Sequence, residues 1–199
     1  MSNSQDTIAA VATPPGRGAI AIIRISGAEA STIARGLTGT TPVERQAQLC
    51  RFHDAQGEPL DQGLMLYFPG PRSFTGEDVI ELHGHGGTIV SETLLAAVID
   101  RGARAAEPGE FALRAFLNDK LDLAQAEAIA DLIDSGSRAA ARAALRSLSG
   151  RFSDQVDALQ TELTAIRVHA EAWLDFPDEE LDLDDIAALG RRLEAASTQ

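Results

Sequence analysis

The chain has 199 residues, 44% of them hydrophobic, which is enough for a packed core in one large domain or two small ones. Its net charge of −13 argues against a surface built to hold most of a phosphate backbone, and no stretch approaches the roughly 20 apolar residues of a membrane span. A single cysteine, Cys50, excludes an internal disulfide and reads as a buried thiol within a strand.

The N-terminus, MSNSQDTIAAVATPPGRG, is acidic and polar ahead of its short apolar run. It does not read as a secretory signal, so a cytoplasmic protein is expected. Thr7–Ala12 reads as a strand closed by Pro14-Pro15-Gly16, and Ala19–Ser26 as a second strand, apolar on both faces except at Arg24. A short helix follows over Ala28–Leu37. Leu49–Asp54 and Gly63–Phe68 read as strands parted by a turn at Gln56-Gly57-Glu58-Pro59, and Asp78–His85 as another. Gly86-Gly87 leads into a helix over Thr88–Arg101, with Leu94, Leu95, Val98 and Ile99 on one stripe and Gly102 as its C-cap. This order predicts an α+β domain with a mixed sheet and flanking helices over residues 1–118.

After Pro108-Gly109, turn signals thin out and alanine and leucine dominate. Helices are expected over Glu110–Leu117, Leu121–Asp134 (capped by Asn118-Asp119), Ser137–Ser149, Arg151–Leu174 and Asp184–Ala196. Phe152, Val156, Leu159, Leu163, Ile166 and Ala170 recur at helical spacing in the fourth of these. Residues 119–199 therefore read as a separate all-α segment. They carry eight basic and seventeen acidic side chains, against nine and thirteen in residues 1–118. Arg138, Arg142 and Arg146 share one helical face, a row that reads as a solvated stripe beside a lesser reading as a nucleic-acid contact.

Three positions stand out chemically. Arg24 puts a guanidinium among apolar strand residues, where it must find an anion or reach solvent. Glu81 sits mid-strand in DVIELHGH, aligned with Val79, His83 and His85. It can pair with Arg24 as a structural salt bridge, or accept the two adjacent N–H donors of a ligand edge such as a pterin. Lys120 is the one lysine beside sixteen arginines; by itself it reads as solvated. His83 and His85 have a spacing seen in metal sites, but with no clear third ligand beyond Glu81 no metal is expected. Gly84, Gly86 and Gly87 before a helix make only a weak anion-site signal.

Neither a Gly-x-x-x-x-Gly-Lys-Ser/Thr phosphate loop, nor Gly-x-Ser-x-Gly, nor Gly-x-Gly-x-x-Gly occurs in the sequence. Three long blocks do carry a signal: DTIAAVATPPGRGAIAIIRISG (6–27), LDQGLMLYFPGPRSFTGEDVIELHGHGG (60–87) and PGEFALRAFLNDKLDLAQAEAIADLIDS (108–135), with FPDEE at 176–180. Together they resemble the MnmE (TrmE) family of tRNA-modifying GTPases across essentially the whole chain.

The resemblance implies an N-terminal domain similar to the tetrahydrofolate-binding domains of aminomethyltransferases, which binds 5-formyltetrahydrofolate or methylenetetrahydrofolate and forms the homodimer. It implies that residues 119–199 begin a helical domain into which a GTPase domain, using GTP, Mg2+ and K+, is inserted. It implies a flavoprotein partner, MnmG, bringing FAD and NADH, and a joint reaction on tRNA that adds an aminomethyl or carboxymethylaminomethyl group to C5 of the wobble uridine. The family's folate-binding residues fall on Arg24, Glu81 and Lys120. The GTPase motifs and the C-terminal cysteine motif are not in this sequence, and Cys50 does not match the latter; a truncated chain without GTPase activity of its own is expected. Two other classes remain beside this reading: a stand-alone folate-dependent aminomethyl- or formyl-transferring enzyme, and a non-catalytic interaction scaffold in which Arg24 and Glu81 pair only with each other.

Overall fold

Period-two alternation sorts the strand residues of the first half onto two faces. In the computed structural model, which describes residues 6–175 and 190–194, six strands form one sheet: β1 (Ile8–Val11), β2 (Ile20–Ser26), β3 (Gln48–His53), β4 (Pro59–Phe68), β5 (Val79–His85) and β6 (Arg104–Ala105). The order is β3-β4-β5-β2-β1-β6, with β1 and β6 parallel and every other pair antiparallel.

Ala9, Ile23, Ile25, Phe52, Met65 and Leu82 point to one face. There α1 (Ala30–Thr38) and α2 (Thr88–Ile99) cover them with Ile33, Ala34 and Leu37, and with Leu94, Ala97 and Val98. Burying each large apolar side chain contributes about 1.5–3 kcal/mol. That layer also fixes register, because slipping β2 by one residue would expose Ile23 and Ile25 and push Arg24 into the core. Arg24, Glu81, His83 and Leu64 lie on the opposite face, aligned by the pairs Arg24 with Glu81, Ile22 with His83, and Leu64 with His83.

The chain divides into two compact units, residues 1–121 and 122–199. The first ends with α3 (Glu110–Leu117); the second holds α4 (Leu123–Ile133), α5 (Arg138–Leu148) and α6 (Arg151–Asp175). The architecture is thus a mixed sheet with flanking helices followed by a helical segment. No helix among the described residues is long and apolar enough to cross a membrane. The acidic segment after Asp175 and most of the helix expected over 184–196 lie outside the described residues, of which 190–194 are helical.

Several boundaries differ from the sequence reading. β4 begins at Pro59 rather than Gly63. Leu60 to Gly63 lack β-forming residues, yet pairing with β3 holds them, and proline is tolerated at the first position of a strand. β6 is too short to show alternation; it is defined by its parallel pairing with β1, where Arg104 N–H donates to the Thr7 carbonyl and Ala106 N–H to that of Ala9. Asp100, not Gly102, caps α2. Asn118 and Asp119 do not cap the next helix: Asn118 ends α3, and Asp122 caps α4 through a capping box with Gln125.

Candidate functional site

β2 and β5 are neighbours in the middle of the sheet, so their register sets Arg24 directly across from Glu81. Arg24 donates from Nε at 3.0 Å and from Nη2 at 2.7 Å, both to Oε1 of Glu81. Ala10 on β1, opposite Arg24 on its other side, leaves room for the long side chain. The guanidinium lies 5.4 Å from the Phe74 ring centroid and 5.8 Å from that of Phe111. Two aromatic faces and one carboxylate thus hold a cation that is 28% exposed.

The second oxygen of Glu81 faces His83, with Nε2 at 3.3 Å from Oε2. His85 turns instead to Asp61 of β4. Its Nδ1 lies 2.6 Å from Oδ1, and its backbone N–H donates to Oδ2 at 2.7 Å. Burial alone would raise the Asp61 carboxyl, but the hydrogen bonds from His85 outweigh it and hold the group below its usual range. His83 and His85 therefore serve different carboxylates. No cluster of three or more metal-ligating side chains occurs among the described residues. Gly86 is explained by packing: a Cβ there would collide with the carbonyl of Gly18.

Phe74, Phe111 and Lys120 are held by a second network. Phe74 belongs to the 69–78 connection between β4 and β5, and Phe111 to α3. Arg114 of α3, almost fully buried, donates to Glu77, to Glu110 and to Asp6. Ser26 donates to Glu77 at 2.7 Å and is hydrogen-bonded to the buried Thr75, also at 2.7 Å. The Asn118 amide donates to the Thr75 carbonyl at 2.7 Å. Gly76, with φ 81, packs so closely under α3's end that a Cβ would lie 3.0 Å from Asn118 and 3.3 Å from Lys120 Cγ. One connection therefore carries Phe74 to Arg24 and Gly76 to Lys120. Lys120 is exposed and has no ion-pair partner among the described residues.

The structure thus joins Arg24 and Glu81 directly and puts Lys120 at the other end of the same connection. Sequence reading did not find Phe74, Phe111 or Asp61. Nothing local marks them; each reaches its partner across 24 to 87 residues of chain. Glu110 and Arg114 did carry a signal, two opposite charges at helical i, i+4 spacing in an apolar stretch. Cys50 is buried in β3, and burial pushes its thiol up.

Two family models match the chain: one described as GTP-binding protein TrmE N-terminus, over residues 7–120, and one described as MnmE helical domain, over residues 123–199. Relatives named tRNA modification GTPase MnmE are similar along almost all of it. The protein from Nitrosococcus oceani is 56% identical over 188 residues, covering 94% of this chain and 41% of the relative. That from Chromohalobacter salexigens is 59% identical over 178 residues, covering 89% and 39%. That from Thiobacillus denitrificans is 54% identical over 193 residues, covering 97% and 43%. The chain spans about two fifths of the length of these relatives, in their N-terminal part. With one model matching the sheet unit and the other the helical unit, the chain belongs to the MnmE (TrmE) family.

Proposed function

We propose that the chain is the N-terminal part of a tRNA modification GTPase, and that residues 1–118 bind a tetrahydrofolate one-carbon donor, 5-formyl- or methylenetetrahydrofolate, and form a homodimer. In this reading residues 119–199 begin the helical domain. The complete protein hydrolyses GTP with Mg2+ and K+ and works in the cytoplasm. With the flavoprotein MnmG, which brings FAD and NADH, it modifies C5 of the wobble uridine in tRNA. This part, lacking a phosphate loop, has no GTPase activity alone.

The observation that carries the ligand reading is the donor set around Glu81. A half-buried carboxylate with one acceptor position left, an arginine fixed to it and two phenylalanine rings suit a flat heterocycle with an N–H donor at its edge. Arg24 is committed to Glu81, which leaves Lys120 as the cation for an anionic part of the ligand such as its glutamate tail. When bound, the folate supplies the one-carbon unit; the residues here bind and orient it. For dimerisation, the support is apolar surface on the same face: Ile20, Leu49 and Leu64 stay exposed there and would be covered by a second copy.

Calorimetric titration with 5-formyltetrahydrofolate tests the reading, beside Arg24→Ala, Glu81→Ala and Lys120→Ala. Saturable binding, weakened in each folded variant, is expected. A second reading rests on the same ion pair: Arg24 and Glu81 satisfy each other within the sheet, as a scaffold requires. Absence of binding by the folded chain, with loss of stability in the Arg24 and Glu81 variants, would favour it.

A further inference from the structure

Arg24 spends both of its hydrogen bonds on one oxygen of Glu81. Nε and Nη2 converge on Oε1, at 3.0 Å and 2.7 Å. Contacts to one oxygen leave the carboxylate able to swivel about it, so Arg24 alone does not fix where Oε2 points. The one other side chain described as reaching Glu81 is His83, whose Nε2 lies 3.3 Å from Oε2. It stands two residues along the same strand, on the same face, between Ile22 of β2 and Leu64 of β4. Apolar neighbours on both sides offer its ring no competing partner there.

We propose that His83 is a positioning residue of the ligand site, which sets the plane of the Glu81 carboxylate by donating Nε2–H to Oε2. The proposal rests on the folate reading of that site. Each carboxylate oxygen has two acceptor positions. Arg24 fills both on Oε1 and His83 takes one on Oε2, leaving one position on Oε2 aimed by the histidine. A ligand N–H donor meets a pre-oriented acceptor there and does not have to order it on binding. The assignment needs the tautomer with hydrogen on Nε2. It also needs no charge on the ring, so a side-chain amide of similar reach replaces it.

The test titrates 5-formyltetrahydrofolate into the whole chain and into His83→Ala, His83→Gln, Glu81→Gln and the double variant Glu81→Gln/His83→Ala, with circular dichroism as the check of folding. His83→Ala weakens binding about fivefold, His83→Gln restores it to within about twofold, and His83→Ala adds no further loss once Glu81 is glutamine. Unchanged affinity in His83→Ala, failure of glutamine to restore it, or a full additional loss in the double variant each overturns the proposal. If the unmutated chain does not bind, the folate reading fails, and the ring-nitrogen NMR spectrum of His83 decides the inference separately. Hydrogen on Nε2, with a shift that moves in Glu81→Gln, supports it. Hydrogen on Nδ1, or no response to Glu81→Gln, overturns it.

Discussion

Glu110 is held by two arginines at once, and its titration follows from that. Arg104 donates to Oε2 at 2.8 Å, Arg114 to Oε1 at 3.2 Å, and the Glu107 backbone N–H to Oε2 at 2.8 Å. The Arg104 hydrogen bonds lead in lowering its carboxyl to about 2, against an ordinary value of 4.5, although burial opposes them. Between these two values the unfolded chain takes up a proton that the folded chain does not. The stability that Glu110 contributes is therefore complete above pH 4.5 and is lost as pH falls towards 2. Urea midpoints measured across that interval should drop as pH falls, and in Glu110→Gln the slope should be shallower by about one proton. An unchanged slope would mean that other carboxylates carry the acid sensitivity. The same network anchors the loop and helix that carry Phe74, Phe111 and Lys120, so a residue that does not touch Arg24 helps to hold the aromatic rings beside it.

At the scale of elements, helix ends decide how the two units begin and stop. α3 closes on Asn118, whose side chain leaves the helix to bind the Thr75 carbonyl. α4 opens on Asp122, which accepts from the Gln125 backbone at 2.8 Å while the Gln125 side chain accepts from the Asp122 backbone at 3.0 Å. Two otherwise orphaned donors are satisfied by one reciprocal pair. Asp122→Ala should lower stability by about 1 kcal/mol and reduce the helical signal of circular dichroism. Asp122→Ser, which keeps the acceptor, should lose much less. Equal losses for the two substitutions would show that the cap contributes little.

At the scale of the whole molecule, the two units differ in how much they bury. Unit 1 holds a continuous layer between sheet and helices, from Ala9 through Ala103. Among the described residues of unit 2, the buried apolar side chains are Ala128, Ala144 and Ile166, while Leu145, Phe152, Val156 and Leu163 remain exposed. Stability follows buried apolar area, so local opening should be easier in unit 2. Limited proteolysis should cut after residue 121 first and leave unit 1 as the resistant fragment. A full-length chain that resists at both units alike would contradict this. Of the stripe that spacing predicted on α6, Phe152, Val156 and Leu163 stay exposed while Ile166 is buried; the period is right, but the described residues of unit 2 cover it only in part.

The sequence by itself determined β1 to β5 and α1 to α6, because alternation in AIAIIRIS and DVIELHGH and the three-and-four spacing of the later segments are local physical signals; the two-residue β6 carried none. It also determined family membership, through long continuous blocks, and it singled out Arg24 and Glu81 as charges that apolar strands must accommodate. Only the tertiary structure decided that those two charges meet, because a strand records which face a residue takes but not which strand lies beside it. The same limit hid Phe74, Phe111 and Asp61, and the division of Glu81's two oxygens between Arg24 and His83. It hid the cap at Asp122 as well, because Asn118 and Asp119 carry the same local signal, and it is the tertiary structure that draws the Asn118 side chain to Thr75 of a distant loop.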